Sequence, residues 1–500
     1  MPKHKSNDNG VSLLQIARET MLDEGFKPDM PASVKTEVRE VEKRQDLVGT
    51  SARDLRALLW SSIDNLQSRD LDQVEFAERL ADGSVRVMIG IADVDAFVPR
   101  GSAVDTHAAE NTTSVYTGVT TFPMLPEELS NDKTSLVAEK NRLAIVIEFI
   151  VGQDGRATTR DVYPALVQNK AKLSYEAIGK WLDQHGPIPN EVSRIPELEQ
   201  QISLQFDAAK RLRELRKVNG ALELQTIQAT PVTDENGRVT DLAVSERSSA
   251  RDIIENFMVT ANVAMAEFLE QRGVMSLRRV VRKPENWPRI VEIASEHNET
   301  LPSQPDPQAL ANFLERRKKL DLTHFPDLSL AVVKLLGPGE YIVQTPGQIK
   351  EGHFGLAVNR YTHSTAPNRR YADLITQRLL KGSIAELDQQ YTVEELHTIA
   401  QHCTERESAA RKVERKMRKV AAAMFLRNRI GQDFDAIVTG ITPKGTFARV
   451  VRPPVDGLVV EGKEGLKVGQ EVRVKLLATD PAKGFIDFAV LRTNRSRPTD

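Results

Sequence analysis

The sequence changes its pattern once, near Gly431. From about residue 51 to 425, strand-like and helix-like stretches alternate without a clear linker, which predicts one large domain. Among them we predict a buried strand over 141–151 and helices over 172–184, 197–217, 248–270 and 288–297. After Gly431, five short strand-type runs separated by glycine turns follow within about 60 residues. That spacing is typical of a small closed barrel of the OB type. We therefore predict an α+β protein, in which a large domain of mixed sheets and helices precedes a small all-β barrel.

Composition narrows the class of protein further. Of 500 residues, 40% are hydrophobic and 28% charged, values that are ordinary for a globular chain and argue against a fibrous or disordered one. The single cysteine, Cys403, excludes a disulfide framework and fits a reducing compartment. No apolar run reaches the roughly 18 residues that a membrane span requires, and no apolar segment follows the basic start. We therefore expect a cytoplasmic protein that does not contact a membrane.

The chain also divides along its length. We predict, in order, a partly helical extension (1–50), the large domain (51–425), the barrel (431–490) and a flexible tail (491–500). A long basic helix over 402–429 closes the large domain, and residues 405–429 hold nine Lys or Arg against three Glu. In a chain with a formal net charge of −2, this helix is either a contact for phosphate groups or a solvated face.

A loop between a predicted strand end and a predicted hairpin is rich in aspartate. Asp64, Asp70 and Asp72 lie at offsets 0, 6 and 8, and Asp82-Gly83 marks the turn of the hairpin that follows. Clustered carboxylates bind hard divalent cations such as Mg²⁺. Two such ions can activate a water and stabilise the leaving oxygen of a phosphodiester. A polar surface turn is the alternative interpretation of these aspartates.

Several blocks of sequence resemble the RNase II/RNase R (RNB) family of exoribonucleases, in that family's order. They are SIDNLQSRDLDQ, VRVMIGIADVDAFVPRGSAVD, TTSVY, FPMLPEELSND, LSYEAIGKWL, IIENFMVTAN and GHFGLAVNRYTHSTAPNRRYADLITQRLL. The resemblance covers roughly residues 55–425, and the barrel is similar to the S1-type RNA-binding domain that usually closes such chains. It implies an RNB-type catalytic domain in an Mg²⁺-dependent exoribonuclease. Such an enzyme processively hydrolyses single-stranded RNA from the 3′ end to 5′-mononucleotides.

The resemblance assigns the catalytic and metal residues. Asp64, Asp70 and Asp72 correspond to the family's metal-site aspartates, and Arg369 to the arginine directed at the scissile phosphate. We expect one or two Mg²⁺ ions, with Mn²⁺ as a substitute. The family carries a fourth aspartate where this chain has Gln73. A glutamine carbonyl can coordinate a metal but brings no charge, so we expect Gln73 to be a weak ligand.

The resemblance also implies residues that contact the bases. Tyr116 corresponds to an aromatic on which the last bases stack, and Tyr175 to a further tyrosine that contacts RNA. Leu224 stands where many members carry phenylalanine, which predicts a looser grip near the 3′ end.

Polar RNA contacts are implied at three further positions. Arg370, beside Arg369, offers a second guanidinium to phosphate oxygens. Glu255 is expected to position the terminal ribose, and Glu414 to lie near the active site. An ion pair on the helix surface is the alternative for Glu414.

Two functions of different class therefore stay open, an exoribonuclease and an RNA-binding protein that has lost turnover through Gln73. An endonuclease or a small-nucleotide phosphodiesterase is a weaker third reading. The expected partner is single-stranded RNA, no protein partner is indicated, and we expect a monomer. About 50 residues precede the large domain, too few for two cold-shock-type barrels. We therefore expect an RNA entry path that is either more open or lined by residues 1–50 in another way.

Overall fold

A computed structural model of the chain describes residues 12–43, 52–227, 229–234, 237–244, 247–348, 351–387 and 390–491. The predictions for residues 1–10 and for the tail after Leu491 lie outside this part of the chain. Within it, no helix is long and apolar enough to cross a membrane.

The secondary structure mixes helices and strands throughout the large domain. The helices are α1 (Leu13–Asp23), α2 (Ala32–Lys43), α3 (Ala103–Asn111), α4 (Tyr175–Leu182), α5 (Asn190–Ser193), α6 (Leu198–Val218), α7 (Ser249–Gln271), α8 (Trp287–Glu296), α9 (Pro307–Leu320), α10 (Phe325–Leu336), α11 (Tyr371–Ile384) and α12 (Val393–Leu426). The strands are β1 (Arg53–Asp54), β2 (Ser61–Asp64), β3 (Gln73–Arg79), β4 (Val85–Ala92), β5 (Val115–Tyr116), β6 (Thr121–Phe122), β7 (Asn141–Val151), β8 (Ala157–Gln168), β9 (Ala171–Ser174), β10 (Ala229–Thr233), β11 (Val239–Val244), β12 (Ser276–Val280), β13 (Glu340–Gln344), β14 (Asp433–Thr442), β15 (Gly445–Val450), β16 (Val455–Glu461), β17 (Glu471–Asp480) and β18 (Phe485–Leu491).

A seven-stranded sheet forms the centre of the large domain, in the order β1-β8-β7-β4-β3-β2-β9. Its neighbours are antiparallel except for the two parallel edge pairs, β1 with β8 and β2 with β9. One face packs on apolar residues of α2, α3, α11 and α12, and the other on residues of α4 to α7. Because both faces are covered, β4 and β7 are apolar almost throughout rather than alternating.

The barrel after Gly431 is confirmed. Strands β14 to β18 close in the order β14-β15-β16-β18-β17, and β14 pairs with β17 to complete the ring. The end of α12 packs on the barrel core. Arg449 of β15 also donates two hydrogen bonds to Asp327 of α10, at 2.6 and 3.0 Å, which ties the barrel to the large domain.

Most of the predicted elements are present. The hairpin of β3 and β4 turns at Asp82-Gly83, where Gly83 takes a φ of 81° that favours glycine. The predicted helix over 172–184 is partly wrong, because residues 171–174 pair with β2 as β9 and the helix begins only at Tyr175. The basic helix begins at Val393 rather than at residue 402, behind a capping box formed by Thr392 and Glu395.

The described part of the N-terminal extension packs against the large domain. Apolar residues of α1 lie against α12. Val34, Val38 and Val41 of α2 belong to the core on the sheet face that packs on α3, α11 and α12. The helical character predicted for this extension is therefore confirmed for α1 and α2.

Candidate active site

The aspartate loop connects β2 to β3 and is held in place from two sides. The Lys172 ammonium group, on β9, donates hydrogen bonds to the carbonyl oxygens of Leu66 (2.8 Å) and Ser68 (2.5 Å). The Ser135 hydroxyl accepts from the Leu71 amide at 2.9 Å and donates to the Arg69 carbonyl at 2.5 Å, on either side of Asp70. The backbone that carries Asp70 and Asp72 is therefore fixed by contacts from distant segments.

Replacing Lys172 by methionine is expected to loosen this loop. Each hydrogen bond to a charged group contributes about 1.5–3 kcal/mol, so the amides of residues 65–71 should exchange at least about tenfold faster. Hydrogen exchange followed by mass spectrometry measures this directly. Lys180→Met is the matched control, because the Lys180 side chain forms an exposed ion pair with Glu176 and does not contact the loop. Equal protection of the loop in both variants would contradict the anchoring role of Lys172.

Asp72 is a buried carboxylate at the end of the loop, with 2% of its surface exposed. Its Oδ1 accepts a hydrogen bond from the Asn368 amide at 3.0 Å, and its Oδ2 lies 3.3 Å from Arg369 Nε. Burial raises the pKa of Asp72 to about 7, while Arg369 and the Asn368 amide oppose the shift and the Asp70 carboxylate adds to it. A further positive charge beside Asp72 would therefore stabilise the ionised form of its carboxyl group.

The raised pKa of Asp72 makes the stability of the metal-free chain depend on pH. The folded chain holds this proton up to about pH 7, whereas an unfolded aspartate releases it near pH ~4. Stability should therefore fall as pH rises between these values, and the fall should be shallower in Asp72→Asn. Unfolding midpoints measured in EDTA from about pH 5 to about pH 8 test this. Parallel curves for the two proteins would contradict it.

Asp70 contacts an aromatic residue from a distant segment, and that residue in turn contacts a glutamate of α12. The Tyr116 hydroxyl donates a hydrogen bond to Asp70 Oδ2 at 2.9 Å. The Tyr116 backbone amide lies 3.3 Å from Glu414 Oε1, which comes from α12. The Tyr116 residue is 41% exposed, so its ring is accessible from solvent although its hydroxyl is engaged.

Asp64 lies at the other end of the loop. Its Oδ1 accepts hydrogen bonds from the Asn65 amide (2.6 Å) and the Ser68 hydroxyl (2.7 Å). Tyr175 follows β9, which pairs with β2 so that Ser174 is the partner of Asp64. The Arg251 guanidinium lies over the Tyr175 ring, 4.5 Å from its centre.

The two adjacent arginines have different surroundings. The Arg369 side chain is 43% exposed, with its Nε beside Asp72. The Arg370 guanidinium donates to Asp373 Oδ1 at 2.7 Å and to Thr365 Oγ1 at 3.4 Å. Asp373 is fully buried, so this ion pair lies at the base of the segment that presents Arg369.

Family comparison agrees with this geometry. The RNB domain matches residues 52–386, and the RNase II-type exonuclease C-terminal S1 domain matches residues 432–491. The chain belongs to the RNB family. The resemblance found in the sequence and the predicted fold class are thereby confirmed.

Individual proteins similar to this chain are named Ribonuclease R. The chain is 30% identical to Ribonuclease R of Thermotoga maritima over 485 residues, which cover 90% of this chain and 66% of that protein. It is 26% identical to Ribonuclease R 1 of Lactococcus lactis subsp. lactis, with 97% and 62% of the two chains covered. Among solved structures, Mycoplasma genitalium RNase R in complex with ribose methylated single-stranded RNA is similar, with a TM-score of 0.86 and 25% identity. That match covers 96% of this chain and 78% of the other. The chain thus spans 62–66% of the length of the two curated relatives.

The site residues predicted from the sequence fall into more than one cluster. The contacts described above join Asp70, Tyr116 and Glu414 in one group and Asp72 and Arg369 in another, and the charges of Asp70 and Asp72 interact. Glu255 and Leu224 instead line a separate cavity, together with Arg213, Arg216, Lys217 and Arg247. The Glu255 carboxylate is 53% exposed and lies 3.4 Å from the Arg216 guanidinium.

The oxygen atoms of the three predicted metal-site aspartates suit a hard divalent cation. Carboxylate oxygens from Asp64, Asp70 and Asp72 are the ligands that Mg²⁺ prefers, and the repulsion between Asp70 and Asp72 favours a cation near them. Among the residues that the structure describes, no three His, Cys, Asp or Glu side chains lie close enough together to hold one ion. The hydrogen bonds from Ser68 and Tyr116 hold the Asp64 and Asp70 carboxylates. Binding one ion by all three would require side chains of the loop to turn.

Sequence reasoning missed several residues of the site. Asn368 lies inside the quoted APNRRY segment, but an amide contact from its backbone leaves no sequence signal. The side chains of Lys172 and Ser135 contact backbone atoms of the loop, and such contacts also leave no signal in the sequence. Glu75 could have been noticed, because it places a charge two residues after Gln73 in the apolar strand β3.

Proposed function

We propose that this chain degrades single-stranded RNA processively from its 3′ end with Mg²⁺, releasing 5′-mononucleotides. The observation that carries the proposal is the 3.3 Å contact between Asp72 and Arg369, which joins the aspartate loop to the APNRRY segment. A carboxylate that can hold a cation and an arginine that can contact phosphate suit the hydrolysis of a phosphodiester. The relatives named Ribonuclease R support the same reaction class.

Each residue then has a definite role. Asp64, Asp70 and Asp72 would hold the metal, which when bound activates a water and neutralises charge on the leaving oxygen. Arg369, being partly exposed, would bind the scissile phosphate through its remaining guanidinium nitrogens.

Contacts along the RNA would come from the surrounding clusters. The exposed ring of Tyr116 would stack on a base near the 3′ end, held at its hydroxyl by Asp70. Glu255, more than half exposed, would accept a hydrogen bond from a ribose hydroxyl. The S1-type barrel would supply a second RNA contact outside the chamber. In this scheme Arg370 supports Arg369 through its ion pair with Asp373.

A second candidate is an RNA-binding protein without turnover. Two observations favour it, namely Gln73 in place of a carboxylate and the absence, among the described residues, of three clustered ligands. The negative charge of Asp64, Asp70 and Asp72 argues against it, because carboxylates beside phosphates weaken RNA binding unless a cation lies between them.

A time course with 5′-labelled single-stranded RNA, with Mg²⁺ or with EDTA, separates these functions. We expect a short end product without intermediates in Mg²⁺ and intact RNA in EDTA. A circular RNA of the same sequence is the matched control, since an exonuclease cannot cut it. Cutting of the circle would indicate an endonuclease. Intact RNA in Mg²⁺ together with retention on a filter would leave the RNA-binding function.

A further inference from the structure

Glu75 is a buried carboxylate without a partner. It lies on β3 with 0% of its surface exposed, and neither of its side-chain oxygens has a hydrogen-bond partner on another described residue. Burying an unpaired carboxylate costs several kcal/mol, so buried carboxylates are normally paired or coordinate metals. Nothing in the contacts of the described residues offsets that cost.

Glu75 lies close along the chain to Gln73, the residue that replaces the family's fourth aspartate. Glu75 follows Gln73 by two residues on the same strand, so the two side chains emerge on the same face of the sheet. Glutamate is one methylene longer than aspartate and can reach further along that face. A carboxylate at residue 75 is therefore the nearest charge on β3 to the place where the family has its fourth aspartate.

Other unpaired oxygens surround Glu75. Ser61 of β2 is its partner across the strands, and Gln205 of α6 reaches the Glu75 carbonyl oxygen with its amide nitrogen. Both residues are fully buried, and Ser61 Oγ and Gln205 Oε1 have no hydrogen-bond partner among the described residues. Three buried side chains of β2, β3 and α6 thus bring carboxylate, hydroxyl and amide oxygens to one face of the sheet, and these are the ligand types of hard cations.

Strand pairing relates Glu75 to the aspartate loop, because its cross-strand partner Ser61 begins β2 and Asp64 ends the same strand. Burial raises the pKa of Glu75 well above its usual value, and the Asp64 carboxylate adds to the shift. Burial also raises the pKa of Tyr175, and both Asp64 and Glu75 add to that shift. The Glu75 carboxylate therefore lies within electrostatic range of Asp64, the residue at which the loop begins.

We propose that Glu75 is a ligand of a hard divalent cation, Mg²⁺ or Mn²⁺, and supplies the charge that Gln73 does not bring. The inference rests on the metal-dependent reaction proposed above and extends it to a residue outside the family pattern. The Ser61 hydroxyl and the Gln205 side-chain carbonyl, both without a partner among the described residues, would complete the oxygen ligands. Glu75 would thus keep the cation close to Asp64 in a chain that lacks the fourth aspartate.

Binding of Mn²⁺ alone to the full chain, measured by electron paramagnetic resonance titration after removal of metals with EDTA, tests this without RNA. Glu75→Gln keeps the shape of the side chain and is expected to raise the Kd for Mn²⁺ at least about tenfold, because ligand charge sets cation affinity. Adding Gln73→Asp to Glu75→Gln should restore the affinity. Glu78→Gln, on the exposed end of the same strand, is the matched control and should bind as the wild type does.

The outcomes are distinguishable. Equal Mn²⁺ affinity of the wild type and Glu75→Gln would overturn the role of Glu75 and leave the proposed hydrolysis intact. A wild-type chain that binds no Mn²⁺ would overturn both. Unfolding midpoints in EDTA show whether Glu75→Gln folds, and we expect it to be at least as stable as the wild type, because a buried unpaired carboxylate has been removed. If Glu75→Gln nevertheless fails to fold, Glu75→Leu serves for the same titration.

Discussion

Asp72→Asn is expected to slow RNA hydrolysis by at least about a thousandfold, the effect that loss of a central electrostatic group has in enzyme sites. The amide keeps the size of the side chain and can still accept the hydrogen bond from the Asn368 amide. It carries no charge, so it holds a cation only weakly and does not balance the charge of Arg369. Single-turnover cleavage of labelled RNA measures the loss.

RNA affinity should change little in the same variant, because Asp72 is buried and removing a negative charge does not weaken contacts with phosphate. Asp82→Asn is the matched control. Asp82 lies at the far turn of the hairpin formed by β3 and β4, and its carboxylate accepts hydrogen bonds from the amide and the hydroxyl of Ser84. Activity of Asp72→Asn within about tenfold of the wild type would show that Asp72 is not central to the reaction.

Arg369→Ala should reduce the single-turnover rate by about 10²–10³, since Arg369 is the guanidinium nearest to the Asp72 carboxylate. Arg369→Lys keeps the charge but loses the planar fork, so an intermediate loss of about tenfold to a hundredfold is expected. The backbone of this segment should persist in both variants, because the Arg369 carbonyl oxygen accepts from the Ser114 amide. Rates and RNA affinities measured in parallel separate the catalytic effect from binding.

The neighbouring Arg370 provides a control of the same residue type. Arg370→Met removes the partner of the fully buried Asp373, and breaking a buried ion pair costs about 3–5 kcal/mol. We therefore expect a lower unfolding midpoint, with the folded fraction retaining most of its rate. The reverse result, a stable Arg370→Met with the rate loss of Arg369→Ala, would instead place Arg370 on the phosphate.

Local patterns predicted several elements well. The β3–β4 hairpin follows from Asp82-Gly83 between two strand-type runs, and the strand over 141–151 from an apolar run too short for a helix. The five barrel strands follow from their glycine turns. These signals are local, because turn conformation and residue period depend on neighbours in the chain.

The prediction of a helix over 172–184 was partly wrong because its first residues are fixed by a contact that is not local in the sequence. Residues 171–174 have too few positions to show a period, and their pairing with β2 is a contact across more than 100 residues. A strand of four residues at a sheet edge is therefore decided by the neighbouring strand rather than by its own composition.

The sequence by itself determined the family, the aspartate loop and the identity of its charged residues, because these depend on residue types at short spacing. Tertiary structure alone decided that Asp72 meets Arg369 from nearly 300 positions away. It also decided the burial of Glu75. In a sheet with one solvated face, alternation with Val74 and Phe76 would turn Glu75 toward water. Here α6 covers that face, so the same alternation buries the Glu75 carboxylate among residues of β2 and α6 that include Ser61 and Gln205.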